Sequence, residues 1–187
     1  MLCGADPMLL AQAGWSIASG EVTVVCPLTV GGSFEATSSA LAGRLTPDST
    51  QPGRLQGELT VDLATLDTGI GLRNSHMRDN YLEVGRGEGF SRAVLKNIVV
   101  GGDVATLSGR TSFTATLLVH GVERPVRGDA RLSRDAGGVR VEASFPVVLA
   151  EHEIAKPRYL GVGVRDQVQV RVRFQAAEGS AGTGSDR

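Results

Sequence analysis

The sequence is poor in the residues that mark several common protein classes. Two cysteines, Cys3 and Cys26, in 187 residues are far too few for a disulfide scaffold and lack metal-ligand spacing. They read as free thiols; a bridge between them, which no spacing demands, would imply an oxidising compartment. Aromatic residues make up only 4% of the chain, so large core fillers are scarce. Neither sign of charge dominates, because 19 Lys and Arg stand against 20 Asp and Glu for a formal net charge of −1. The whole chain therefore has no net pull toward nucleic acid, which argues against a basic-patch nucleic-acid binder.

No apolar run approaches the roughly 20 residues of a membrane-spanning helix. The opening MLCGADPMLLAQAG has a short apolar core and an Ala11-Gln12-Ala13 resembling a cleavage site. It lacks a positive leading region, and Asp6 and Pro7 interrupt it, so it is a poor signal peptide. As written the chain reads as cytoplasmic. A misplaced start or a removed signal would give the same sequence for a periplasmic or secreted protein.

What is present fits one globular domain: 41% hydrophobic and 21% charged residues at a length sufficient for a single core. The 25 glycines point to many tight turns. Alternation of apolar and polar residues carries the fold reading, since a strand with one dry face and one wet face requires it. Leu55, Gly57, Leu59, Val61 and Leu63 share one face of residues 54–63. Leu107, Gly109, Phe113, Ala115, Leu117 and Val119 share another, followed by Val126, Gly128, Ala130 and Leu132. Val139, Val141, Ala143, Phe145 and Val147 come next, after a hairpin signal at residues 134–138. Val168, Val170, Val172 and Phe174 form the last apolar face. Weaker strand signals lie at residues 15–18, 21–26, 33–40 and 91–100.

Helix is confined to residues 73–84, where Met77, Tyr81 and Leu82 have helical spacing, and to a short turn at residues 151–156. With turn signals between strands and no βαβ rhythm, the expected fold is all-β. The specific expectation is an antiparallel, closed, lipocalin-like barrel of about eight strands with one or two short helices, since closure removes exposed edges. The domain spans residues 15–176, between a flexible N-terminal segment, residues 1–14, and a disordered tail, residues 177–187.

Three segments carry a family resemblance over residues 15–176. They are LDTGIGLRNSHMRDNYLEV (residues 66–84), FTATLLVHGVERPV (113–126) and VGVRDQVQVRVRFQA (162–176). Their order and spacing resemble the YceI-like proteins, lipocalin-like barrels associated with polyisoprenoids and other long apolar amphiphiles. The chain departs from the family pattern at Asn80-Tyr81-Leu82 and Gly89-Phe90, where the family has Phe-Phe and then an aromatic-proline pair.

The resemblance implies a non-catalytic binding or carrier protein for a polyisoprenoid, isoprenoid quinone or fatty-acyl lipid held in the lumen. It admits a homodimer and calls for no cofactor. Candidate wall residues are Phe34, Leu59 and Val61, then Phe113, Ala115 and Leu117. Val141, Ala143 and Phe145 follow, with Val170 and Val172 from the closing strand. Met77 and Tyr81 would join from the helix. Arg73 and His76, three apart, would face one side and suit an oxygen-rich head.

Alternation reports burial and not emptiness, so a tightly packed barrel acting as a structural or stress-associated module stays open. A barrel enzyme acting on a hydrophobic substrate through Arg73, His76 and Asp79 also stays open. No Gly-x-Ser-x-Gly elbow, P-loop or cysteine-nucleophile motif is present. His76, His120 and His152 are dispersed singly, so no metal site is expected, and the last two read as turn and surface residues.

Overall fold

The computed structural model describes residues 14–159 and 162–179. The Cys3 half of the conceivable bridge, and the tail from residue 180, lie outside the described residues. Strands run in the order β1 (Trp15–Ile17), β2 (Gly20–Pro27), β3 (Ser33–Ser38), β4 (Leu41–Pro47), β5 (Arg54–Asp62) and β6 (Arg92–Val100). They continue as β7 (Gly109–Val119), β8 (Val122–Asp135), β9 (Gly138–Val148), β10 (Arg158–Tyr159), β11 (Val162–Gly163) and β12 (Gln167–Glu178). Two short helices, α1 (Gly71–His76) and α2 (Glu88–Ser91), lie between β5 and β6.

Successive strand pairs are antiparallel, and the pairing of β1 with both β4 and β12 closes the sheet on itself. β1 with β2, and β3 with β4, are the two halves of bent staves, so the wall is a closed barrel of 8 strands. The inner face carries the alternate apolar residues. Outward positions carry charge, as in the row Arg131, Glu142, Arg173 and Glu21, paired in turn across β8, β9, β12 and β2.

Two glycines show why side chains are absent at points in the wall. A Cβ on Gly128 would strike the Ser144 carbonyl and lie 2.9 Å from the Phe113 ring, so β8 and β9 can approach here only with glycine. Gly57, expected to face inward, is exposed. It has φ +97° and sits where the β5–β6 register shifts between Leu55 and Glu58. A bulge at this point needs a left-handed backbone, and the inward position is lost to it.

Other expectations shift in detail. The helix begins at Gly71, two residues before the predicted start, and is α-helical only to His76. Met77–Tyr81 is wound as a π-turn in which Leu82 N–H donates to the Met77 carbonyl at 2.8 Å. The turn predicted at residues 151–156 lies at Leu149–His152 instead. Strand β4 had no sequence signal, because Ala42 and Gly43 dilute the alternation of Leu41 and Leu45. At the other end β12 runs on past residue 176, and Ala177 and Glu178 pair with Ser16 and Trp15.

Candidate functional site

A cavity of about 1050 Å³ occupies the middle of the barrel. This is at the upper end of the roughly 300–1,000 Å³ usual for small-molecule sites. Its two ends differ. Where β1 pairs with the end of β12, Trp15, Val104 and Arg134 line it. There the Arg134 Nη2 donates to the Val104 carbonyl at 2.6 Å, and its guanidinium sits 6.0 Å from the Trp15 ring. That arginine closes the floor. Midway, Phe113 and Phe145 meet edge to face at 5.9 Å.

The opposite end is the mouth, and a local fold sets its geometry. Thr37 and Asp67 exchange backbone hydrogen bonds at 2.8 Å, fastening the turn before α1 to β3. Asn74 then locks that turn, since its Nδ2 donates to Asp67 Oδ1 at 2.6 Å and its Oδ1 accepts from Thr68 N–H at 2.8 Å. The Asn74 amide and the Gly69 N–H hold the Asp67 carboxyl below its ordinary pKa. With α1 pinned beside β3, the Arg73 guanidinium lies over the Phe34 ring at 4.4 Å.

Arg73 is half-buried and lines the cavity mouth. Among the described residues no carboxylate lies within ion-pair distance of it. The structural contact to a loop carbonyl belongs to Arg78, whose Nη2 donates to the Leu66 carbonyl at 2.8 Å. His76 is exposed at the same mouth, where Met77 and Tyr81 also reach the cavity. Asp79 does not line it.

Of the remaining expected wall residues, Phe34, Leu59, Val61, Phe113 and Leu117 line the cavity. So do Val141, Ala143, Phe145, Val170 and Val172. Ala115 does not, although it is buried on the inner face. It stands beside the register shift of β6 between Lys96 and Val99, where the larger Ile98 reaches the lumen and its own methyl does not. Of the small residues on the inward parity, Ala36, Ala130 and Ala143 border the open volume, while Gly57, Gly109 and Gly128 do not.

Sequence reading missed Arg158 at the mouth and Arg134 at the floor, both of which line the cavity. Arg158 lies in the two-residue strand β10, which is too short for a periodic signal, and Arg134 lay inside a hairpin signature. Among the described residues, no Asp or Glu lines the cavity, and its charged neighbours are all basic. Cys26 also lines it, half-buried, and burial pushes its thiol up to about 11, an unreactive state.

Of the other two histidines, His120 sits in a hairpin turn as expected but is buried there, and the buried His152 corrects the surface assignment. His120 is buried in the β7–β8 turn, with Nδ1 at 3.0 Å from the His152 carbonyl and Nε2 at 2.9 Å from Glu83 Oε2. His152 is 1% exposed and its Nδ1 lies 3.1 Å from the Val122 carbonyl. Among the described residues no three His, Cys, Asp or Glu side chains converge as a metal site would require.

A closed antiparallel barrel with an apolar lumen and a partly covered, basic mouth defines a lipocalin-like architecture. The YceI-like domain model matches residues 15–176, and the chain belongs to that family. Among curated proteins none matches the sequence. Solved structures share the fold at low identity. BcnA of Burkholderia cenocepacia is 14% identical with a TM-score of 0.66, over 84% of this chain and 96% of its own. A polyisoprenoid binding domain from Saccharophagus degradans, implicated in plant cell wall breakdown, is 18% identical with a TM-score of 0.63, over 90% and 99%. The YceI protein of Campylobacter jejuni is 12% identical with a TM-score of 0.51, over 75% and 81%.

Proposed function

We propose that this protein is a non-catalytic binding or carrier protein for a long apolar amphiphile. The tail lies in the lumen and an oxygen-bearing head rests near Arg73 and His76. The observation that carries the reading is the cavity of about 1050 Å³, apolar along its length, whose charged lining among the described residues is basic.

Transferring a hydrocarbon tail from water supplies about 0.8 kcal/mol per buried methylene, so ten such groups set about 8 kcal/mol against the cost of immobilising one chain. An unpaired guanidinium half out of water favours an anionic or strongly polar oxygen, with which it forms charge-assisted hydrogen bonds. Polyisoprenoids, isoprenoid quinones and fatty-acyl lipids combine such a tail with such a head. The fold shared with the Saccharophagus degradans polyisoprenoid binding domain supports this cargo class.

Native mass spectrometry of gently purified protein tests the proposal. A co-purifying apolar mass is expected. A clean apo mass, together with no binding of long-chain probes, would overturn it.

A further inference from the structure

Among the described residues few large apolar side chains lie on the outside: four are well exposed, and three of them, Val30 at 70%, Ile70 at 48% and Leu72 at 68%, stand at the mouth. They come from two unconnected segments. Val30 is in the turn joining β2 to β3, and Ile70 and Leu72 open α1. The turn is anchored to the third mouth segment, because Thr29 N–H donates to the Gly163 carbonyl at 2.9 Å and Arg165 Nε donates to the Leu28 carbonyl at 3.2 Å. Ile70 and Leu72 also line the cavity, so the exposed apolar lip is continuous with the lumen.

Charge on the segments around the lip departs from that of the whole molecule. Residues 28–33, 66–80 and 155–166 hold the cations Arg73, Arg78, Lys156, Arg158 and Arg165 against the carboxylates Asp67, Asp79 and Asp166. The chain as a whole carries a formal charge of −1. The segments that carry and anchor the lip are thus net positive, while residues 81–91 and 149–154, packed on β6, β7 and β8, hold Glu83, Glu88, Glu151 and Glu153 against Arg86, so the positive charge sits on the lip's own side of the mouth.

We infer that the lip side of the mouth docks on an anionic lipid bilayer, with Val30, Ile70 and Leu72 entering the headgroup region and the exposed Lys156, Arg158 and Arg165 facing lipid phosphates. This rests on the carrier reading above, since a tail insoluble in water exchanges only with another apolar phase. An apolar lip flanked by cations has the composition of an interfacial membrane anchor. A second copy seated lip to lip is a poor occupant, because two identical net-positive lips facing across a two-fold axis repel. A protein partner would need neither the open lumen beneath the lip nor its apolar continuity with the surface.

The test is flotation with vesicles of phosphatidylcholine alone and of equimolar phosphatidylcholine and phosphatidylglycerol, paired with uptake of cis-parinaric acid in vesicle-free buffer. Wild type should float with the mixed vesicles, less with phosphatidylcholine alone, and less again in high salt. Val30→Asp, outside the cavity, should lower vesicle partition by about tenfold or more with probe uptake unchanged. Lys156→Glu, also outside it, should weaken binding to the mixed vesicles by at least about fivefold and leave phosphatidylcholine binding alone. Wild type that takes up probe but does not float overturns the docking face and leaves the carrier reading standing. Wild type that floats but takes up no probe removes the carrier reading and leaves the docking face. Flotation unchanged in Val30→Asp overturns the inference, as does a wild-type dimer that Val30→Asp dissociates.

Discussion

Arg73 and Arg78 lie five positions apart in one winding of the chain and have different tasks. Arg78 is committed to the Leu66 carbonyl at 2.8 Å, while Arg73 has the Phe34 face at 4.4 Å beneath it and the cavity mouth in front. An arginine held by an aromatic face keeps its donors available to a ligand. Arg73→Ala should therefore weaken an anionic-headed probe by about 1.5–3 kcal/mol and leave a neutral long-chain alcohol nearly unaffected. Arg73→Lys should recover only part, because a planar fork becomes a point charge. Equal losses for both probes in fluorescence titrations would assign Arg73 to the wall and not to the head. Ala143 and Ala115 make a second contrast, since both face inward but only Ala143 borders the cavity. Ala143→Trp should fill open volume and abolish tail uptake at small cost in stability. Ala115→Trp should instead overpack the wall and destabilise the fold by about 1–3 kcal/mol, read by urea denaturation.

Short elements, more than the long strands, hold the covered end together. Glu83, with a left-handed φ of +50°, reaches the buried His120 at 2.9 Å and Arg86 at 2.8 Å. The Gly121 N–H donates to the Gly89 carbonyl at 2.7 Å, and Phe90 packs edge-on against His120 at 4.8 Å. His120 and His152 then tie the β7–β8 turn to the segment after β9. Burial, reinforced by Arg124, lowers the His152 pKa from its ordinary 6.5, against the opposing hydrogen bonds to the Val122 and Val119 backbone and the weaker pull of Glu151. Below pH 6.5 the unfolded chain therefore binds this proton before the folded one does, and stability falls as pH falls. Glu83 acts in the same direction at lower pH. Arg86 and His120 hold its carboxyl below 4.5, so its contribution is present above that value and is lost as pH falls through the lowered one. Thermal melts between about pH 8 and pH 5 should show a falling midpoint, across the window where histidine titrates. His152→Asn, which keeps a donor toward Val122, should flatten the upper part of that fall. An unchanged pH profile in His152→Asn would place the acid sensitivity elsewhere. The long strands β5, β7, β8, β9 and β12 were legible because their alternation spans many residues. The π-turn at Met77–Tyr81 was not, since one Leu82-to-Met77 bond widens a single turn and leaves no periodic trace.

At the scale of the whole molecule, closure was readable and emptiness was not. Alternation shows that Val141, Phe145, Val170 and Val172 face the same interior, but only the barrel's radius determines whether opposite walls touch. The low aromatic content, 4%, and the small residues on the inward faces, such as Ala36, Ala130 and Ala143, hinted at unfilled room without showing it. A large apolar cavity has an energetic consequence, because lining atoms with no partner across the gap forgo dispersion contacts that a packed core would make. A bound tail restores those contacts only in the folded state, so ligand and stability are linked through mass action. At a free concentration of about one hundred times Kd the added stability is about 2.7 kcal/mol. For a domain of this size each kcal/mol moves the melting midpoint by roughly 2–4 °C, which gives a rise of roughly 5–10 °C. Differential scanning calorimetry of delipidated protein with increasing cis-parinaric acid should show the midpoint climbing with the logarithm of free probe. In Ala143→Trp, where the tail has no volume to enter, the midpoint should stay constant over the same series. A midpoint that rises equally in both proteins would mean that the probe binds the outer surface, and the lumen would then have to be given up as the binding site.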